Sequence, residues 1–272
     1  MANDEVCSVC DPRGVLTITL NRPEVRNAFH AELLQALLAA LELAGTTAEV
    51  RVVVLRGEGP VFCAGGDVQW MLQLAEAGHR ESVKGARQIA DVFAAINQCP
   101  KPVVAVVQGA AIGGAVGLVA ASDIVIASSE AVFGLSEARL GLVPACVTPF
   151  LLAKVGPSHA RRLLLTGQRI SAEDALRVGL VHYLVSPEET LDEALERRLH
   201  QMLLCGPNAL SRAKLLVAEL SPIEHSLFLE ATLGYVSQAM AELWISAEGR
   251  EGMRAYLEKR PPSWADVAAD EE

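Results

Sequence analysis

Basic residues are the scarce charge in this 272-residue chain: 23 Lys and Arg stand against 33 Asp and Glu, a formal net charge of −10. With a pI near 5.2, most of its surface repels phosphate backbones unless the few cations cluster, so nucleic acid is not expected as a partner. Cysteine is sparse too, six in all, and Cys7, Cys10, Cys63, Cys99, Cys146 and Cys205 lack the spacing of a secreted disulfide framework. No basic n-region and apolar h-region open the chain, and an acidic start is unlike an Arg-rich transit segment, so the expected compartment is a reducing, cytoplasmic one. Walker loop, His-Glu-x-x-His, Gly-x-Ser-x-Gly elbow and complete Gly-x-Gly-x-x-Gly are all missing, which turns the reading away from nucleotide hydrolysis and metal chemistry. Cys7-x-x-Cys10 has no second pair or neighbouring His to complete a zinc set and reads as an incidental feature of a frayed end.

What is plentiful is apolar: 51% hydrophobic residues, punctuated by 21 Gly and 13 Pro, too greasy for disorder and too interrupted for a coiled coil. The length suits one large α/β domain with an appendage, or two domains. Val103 to Ala121 holds one clearly polar residue, Gln108, and approaches the length of a membrane span. Its β-branched start, its glycines at 109, 113, 114 and 117 and its Ala/Leu end read instead as a buried strand, a tight turn and a buried helix, so no membrane partner is expected.

Periodicity predicts strands over 15–20, 50–55, 103–107, 123–127 and 180–185, and helices over 28–44, around Trp70, over 85–97 and from about 114. The alternation argues for stacked β/α units around buried sheets through about residue 185. Beyond it the spacing is helical only, over 187–204 with a cap at Ser186-Pro187-Glu188-Glu189, then over 207–220, 222–246 and 247–259. We divide the chain into a core, 1–200, and a helical C-terminal region, 201–272, too small to bury a core of its own and expected to pack on the first part or on another subunit.

Two glycine turns stand out, Phe62-Cys63-Ala64-Gly65-Gly66-Asp67 and Gln108-Gly109-Ala110-Ala111-Ile112-Gly113-Gly114-Ala115, each following a buried strand and leading into a helix. Glycine lets a ligand approach the main chain, and the first free N–H groups of a helix point outward with the positive end of its dipole behind them. Two such turns facing one another would make an oxyanion hole. On spacing alone the same glycines serve equally well for tight turns and close helix packing.

The order Asn21-Arg22-Pro23-x-x-Arg26-Asn27-Ala28, the two glycine turns, Ser122-Asp123, Phe133-Gly134-Leu135-Ser136-Glu137-(x)3-Gly141-Leu142-x-Pro144, Leu165-Thr166-Gly167 and Ala175-(x)3-Gly179-Leu180-Val181 resembles the crotonase (enoyl-CoA hydratase/isomerase) superfamily over nearly the whole chain. The resemblance implies an α/β fold, a spiral of ββα turns with a helical C-terminal trimerisation region, an acyl-CoA thioester as substrate, no other cofactor or metal, and a homotrimer or dimer of trimers. It implies that the amides of Gly66 and Gly114 hold the thioester oxygen. Ala28, Ala64, Asp67 and Val68 fall on the adenine and pantetheine path, and Arg26 and Lys259, with Arg260, fall where cations meet CoA phosphates. Glu137 matches the family's catalytic glutamate, and a carboxylate beside an apolar pocket is raised toward neutrality, as a group moving protons near pH 7 requires. Trp70 and Met71 are candidates for the acyl-pocket wall; Cys63 and Cys146 read as small buried hydrophobes.

The departure from the family is at residue 117. Two-glutamate hydratases carry a second catalytic Glu three residues after the second oxyanion glycine, one helical turn on, and here that residue is Gly117. Either Glu137 handles both proton transfers of water addition, or the reaction is a double-bond isomerisation, for which one carboxylate suffices. The runs at 113–118 and 135–145, with Pro149-Phe150, and at 246–260, with Trp264, resemble the bacterial methylglutaconyl-CoA hydratase branch of leucine and isovalerate breakdown. The resemblance therefore implies hydration of a branched 2-enoyl-CoA, with Arg139 a candidate partner for an extra substrate carboxylate. A reading of another class is a non-catalytic crotonase-fold protein that binds CoA esters or RNA.

Overall fold

The computed structural model describes residues 5–221 and 230–265. Valines at 103, 104, 106 and 107 with Ala105 make a strand buried on every residue, which requires cover on both faces. That strand, β4 (Val103–Val107), lies inside a six-stranded sheet ordered β1-β2-β3-β4-β6-β9, with β1 (Val6–Cys10), β2 (Val15–Leu20), β3 (Val52–Gly57), β6 (Ile124–Ser128) and β9 (Tyr183–Val185). All neighbours are parallel except β1 with β2. Alternation along the strands splits the interior in two: Val53, Leu55, Val103 and Ala105 face the larger core, and Val52, Val54, Val104 and Val106 face a smaller one. The smaller core is closed by Ala194, Leu195, Leu199 and Met202 on α7 (Leu191–Leu203).

A second sheet of three short strands, β5 (Ala110–Ile112), β7 (Val132–Gly134) and β8 (Arg169–Ser171), is ordered β5-β7-β8. Its strands follow those of the large sheet closely, so that β4-β5-α4 and β6-β7-α5 each turn once around the molecule, with α4 (Gly114–Ala121) and α5 (Thr148–Thr166) as the returning helices. This is the predicted ββα spiral. The apolar run 103–121 is β4, β5 and α4, and no helix among the described residues is long and apolar enough to cross a membrane.

Several boundaries move. The first helix, α1, is Ala31–Thr46 rather than 28–44, because residues 27–29 are held in the loop that meets the first glycine turn; α2 is Val68–Ala77 and α3 is His79–Gln98, longer than 85–97. The strand over 180–185 shrinks to Tyr183–Val185. The cap of α7 is Thr190, whose side chain accepts from Glu193 N while Glu193 reaches back to Thr190 N, not the Ser186–Glu189 stretch. Residues 6–10 are no frayed end but β1, paired with β2 from Val6↔Leu20 to Cys10↔Leu16, with Cys7 and Cys10 both exposed.

Past α6 (Ala172–Arg177), α7 and α8 (Pro207–Leu220), the chain is described again in α9 (Glu230–Ile245) and α10 (Ala247–Leu257); the first part of the predicted helix 222–246 lies outside the described residues. Helix α9 packs along α3 and α2, and α10 along α2 and the short 3-10 turn Glu137–Leu140. That last contact is close: a Cβ on Gly252 of α10 would fall 2.1 Å from the Leu140 carbonyl oxygen. The C-terminal helices therefore rest on the turn that carries Glu137.

Candidate active site

Asn27 organises one side of the site. It is fully buried with φ 55°, the left-handed region that Asn tolerates better than most residues. Its Oδ1 accepts from Arg22 N at 2.9 Å, and its Nδ2 lies 2.9–3.1 Å from the carbonyls of Glu58, Val61 and Phe62. The loop so anchored interlocks with the first glycine turn: Ala64 N donates to Arg26 O, Phe29 N to Gly65 O and Asp67 N to Phe29 O, each at 2.9 Å. Arg22 donates to Ala28 O at 2.7 Å.

The two glycine turns meet. Gly65 has φ 92°, and a Cβ there would fall 2.5 Å from Ile112 O and 3.2 Å from Gly114 N. The buried ring of Phe29 sits against both turns: a Cβ on Gly114 would be 2.4 Å from its Cζ, and one on Gly66 3.7 Å from its Cε2. Around them the amides are engaged, Gly65 N on Cys63 Sγ, Asp67 N on Phe29 O and Gly113 N on Gly134 O. Among the described residues, the Gly66 and Gly114 amides donate to no turn or loop carbonyl. Gly114 opens α4, so its N–H is one of the orphan donors at a helix start, where the dipole favours negative charge.

Glu137 begins the 3-10 turn that follows β7. Its carboxyl faces Gly113: a Cβ there would lie 3.0 Å from Oε1. The Oε2 atom is shut off from solvent with no hydrogen-bond partner, and burial pushes the carboxyl up to about 7. These parts share one cavity of about 470 Å³. Of the predicted positions, Glu137, Gly66, Gly114, Arg26, Ala28, Ala64, Asp67 and Val68 line it, as does Met71. Asp67 also caps α2, accepting from Gln69 N and Trp70 N.

Two expected substrate-binding residues, the wall candidate Trp70 and the phosphate candidate Lys259, are not among those lining the cavity. Trp70 instead sets its ring edge-on to Trp244, centroids 6.1 Å apart at 73°, because one residue along a helix turns a side chain by about 100° and Met71 takes the inward face. Lys259 is exposed, two residues beyond the lining residue Leu257. Arg260 beside it is engaged by Glu251 and Glu258. Arg139 is exposed, its stem lying near Gly167; Arg169 of β8 lines the cavity together with Arg26. Cys63 and Cys146 are buried, and burial pushes both thiols up to about 12, so neither offers a thiolate.

Sequence reading missed Phe29, Arg169, Met240, Trp244 and Tyr256 as parts of the site. Met240 and Trp244 are spaced i, i+4, a signal for one helix face but not for what that face covers. At position 117 the structure is explicit. A Cβ on Gly117 would fall 2.4 Å from Cζ of Phe93, a fully buried ring packed edge-on to Phe150 at 5.9 Å. Aromatic bulk from α3 fills the space beside Gly117.

The arrangement can polarise a carbonyl on two main-chain donors and move a proton at a neighbouring carboxyl. Known proteins agree with that chemistry. The 2,3-dehydroadipyl-CoA hydratase of Escherichia coli is 34% identical over 92% of this chain and 94% of its own length. The trans-2-decenoyl-[acyl-carrier-protein] isomerase of Streptococcus mutans is 31% identical, over 92% and 94%. Among solved structures, an enoyl-CoA hydratase from Mycobacterium avium superposes with a TM-score of 0.83 at 33% identity, covering 96% of this chain and 99% of that one. With the enoyl-CoA hydratase/isomerase family profile matching residues 11–267, the chain belongs to that family, the crotonase superfamily, and is an enzyme of the enoyl-CoA hydratase type.

Proposed function

We propose that the protein adds water reversibly across the α,β double bond of a branched 2-enoyl-CoA of the 3-methylglutaconyl type, as in leucine or isovalerate breakdown, with Glu137 as the single acid/base. The observation that carries the reading is the unpartnered Oε2 of Glu137 in the same cavity as the two free glycine amides. In the hydration direction the thioester oxygen accepts from Gly66 N–H and Gly114 N–H, which draws electron density from Cβ. Ionised Glu137 takes a proton from water as the oxygen attacks Cβ, and charge collects on the thioester oxygen, where the two donors stabilise it. The proton on Glu137 then passes to Cα, closing the cycle with no other cofactor. Arg26 and Lys259 are assigned to CoA phosphates, and Ala28, Ala64, Asp67 and Val68 to the adenine and pantetheine path.

A distal carboxylate on the acyl group needs a cation. Arg169 takes that role in place of Arg139, since it lines the cavity and has no ion-pair partner among the described residues. The relative named for 2,3-dehydroadipyl-CoA, itself an enoyl-CoA with a distal carboxylate, lends support. We read the apolar residues exposed on α8, Leu215, Leu216, Val217 and Leu220, as an assembly face, in keeping with a trimer or dimer of trimers in the cytoplasm. A double-bond isomerase is the second reading, favoured by the absence of a carboxylate at residue 117. A mass-resolved assay on 3-methylglutaconyl-CoA, crotonyl-CoA and a 3-enoyl-CoA decides between them. Gain of water on the first is expected; rearrangement of the 3-enoyl ester without gain of mass and without hydration of either 2-enoyl ester would move the enzyme to the isomerases.

A further inference from the structure

Among the residues that line the cavity, two carry a polar side-chain atom that is shut off from solvent and has no hydrogen-bond partner among the described residues: Glu137, at Oε2, and Trp244, at Nε1. The first is the proposed acid/base. The second has no part in that chemistry. Trp244 is fully buried on α9, its ring fixed by the edge-on contact with Trp70, and Met240 lines the cavity one helical turn earlier. A buried indole N–H nearly always finds an acceptor. Trp244 belongs to the cavity's lining, so the molecule that fills the cavity is a source from which its N–H can take an acceptor.

We propose that Trp244 is a specificity-determining residue, its indole N–H donating to an oxygen on the acyl chain beyond the double bond, so that the enzyme prefers oxygen-bearing enoyl-CoA esters to plain hydrocarbon ones. The inference rests on the reading of this cavity as the acyl-CoA site. The chemistry it names is an oxygen acceptor, which a carboxylate or a hydroxyl can supply. A hydrocarbon chain leaves the N–H buried and unpaired, whereas an acceptor recovers a bond that a charged group strengthens to roughly 10- to 100-fold in equilibrium.

The test compares wild type with Trp244→Phe, which keeps an aromatic ring and deletes the donor, on 3-methylglutaconyl-CoA, an enoyl-CoA with a distal hydroxyl, and crotonyl-CoA. The expected result is a fall in kcat/KM that is largest on the carboxylated ester, smaller on the hydroxylated one and smallest on crotonyl-CoA, so that the preference for the carboxylated ester over crotonyl-CoA drops by about 10- to 100-fold. A fall of equal size on all three esters, or on none, overturns the proposal, the first outcome marking Trp244 as packing alone. A measurement on the unmutated enzyme does not depend on the variant folding: the ¹⁵N-indole resonance of Trp244 with glutaryl-CoA or butyryl-CoA bound. A downfield proton shift with glutaryl-CoA alone supports the assignment. A resonance that moves equally with both, or with neither, as for an N–H held against the Trp70 ring, overturns it. Failure of the broader reading is distinguishable, since wild type would then hydrate none of the three esters.

Discussion

The two flanks of the Gly113–Gly114 turn are built for opposite purposes. On one flank a missing side chain makes room for a carboxyl: a Cβ on Gly113 would lie 3.0 Å from Oε1 of Glu137. On the other, one turn along α4, a missing side chain makes room for a hydrocarbon ring, since a Cβ on Gly117 would lie 2.4 Å from Phe93. Gly113 and Glu137 line the cavity, and Gly117 and Phe93 are not among its lining residues. The same residue type a few positions apart thus serves proton chemistry in one place and core packing in the other. What decides is the element facing it, a 3-10 turn carrying an acid or a helix carrying a phenylalanine.

The strongest way to break this comparison is at Glu137 itself. Glu137→Gln is expected to lower kcat by about 10²–10⁴, the range for a general acid–base group. It should also stabilise the fold. The carboxyl holds its proton up to about 7 in the folded protein, against an ordinary value of 4.5, so in wild type stability is full below about 4.5, falls as pH rises and levels off above about 7. At pH 8 the Gln variant should therefore unfold at higher urea, by up to about 3 kcal/mol, and at pH 4 match wild type. Wild-type kcat/KM should rise with pH through a single limb near 7, because the carboxylate is the working form. A second limb, descending at higher pH and assignable to a protein acid, would mean that another group shares the work.

The oxyanion donors come next. Gly114→Ala places a methyl 2.4 Å from a buried Phe29 ring, which cannot yield without moving the turn. Loss of one donor is expected, costing about 10²–10³ in kcat. Gly66→Ala meets Met71 Sδ at 3.1 Å, a flexible neighbour, and should cost less. Steady-state kinetics on crotonyl-CoA rank the two; the reverse order would show that the main-chain donors are not positioned through Phe29.

How far this was legible in the sequence differs by kind of feature. The strand over 103–107 was readable because cover on both faces fills it with β-branched residues, and α1 because its one buried face repeats Leu33, Leu34, Leu37 and Leu41 at helical spacing. Residues 6–10 were not, since all but Val6 are exposed and no period is enforced. Strands β5, β7 and β8 are three residues each, too short to show alternation. The glycine turns and Glu137 were readable from motif order, but their meeting at Phe29 depends on the interlocked loop around Asn27, a long-range fact. Met71 and not Trp70 faces inward because one helix presents both to different neighbours, and only packing against α9 selects between them. Trp244 and Arg169 come from segments more than a hundred and about thirty residues from Glu137, respectively, and no local pattern announces their arrival.

The smallest effect on rate, and the sharpest contrast, lies between the two flanking glycines. Gly113→Ala must hold φ 60° with ψ −130°, a backbone combination populated almost only by glycine and costing about 1–3 kcal/mol, and its methyl presses on the Glu137 carboxyl, so kcat should fall by about tenfold or more alongside that loss of stability. Gly117→Ala has no backbone strain of that kind. Its methyl drives into Phe93 and through it into Phe150, an overpacked core expected to cost about 1–3 kcal/mol, with kcat within about threefold of wild type because neither ring lines the cavity. Phe93→Leu made in the same chain should return part of that stability, a coupling that urea titration of the two single variants and the double variant measures. If Gly117→Ala instead lowers kcat as far as Gly113→Ala while the fold keeps its stability, the Phe93 flank takes part in the reaction and the contrast between the two glycines collapses.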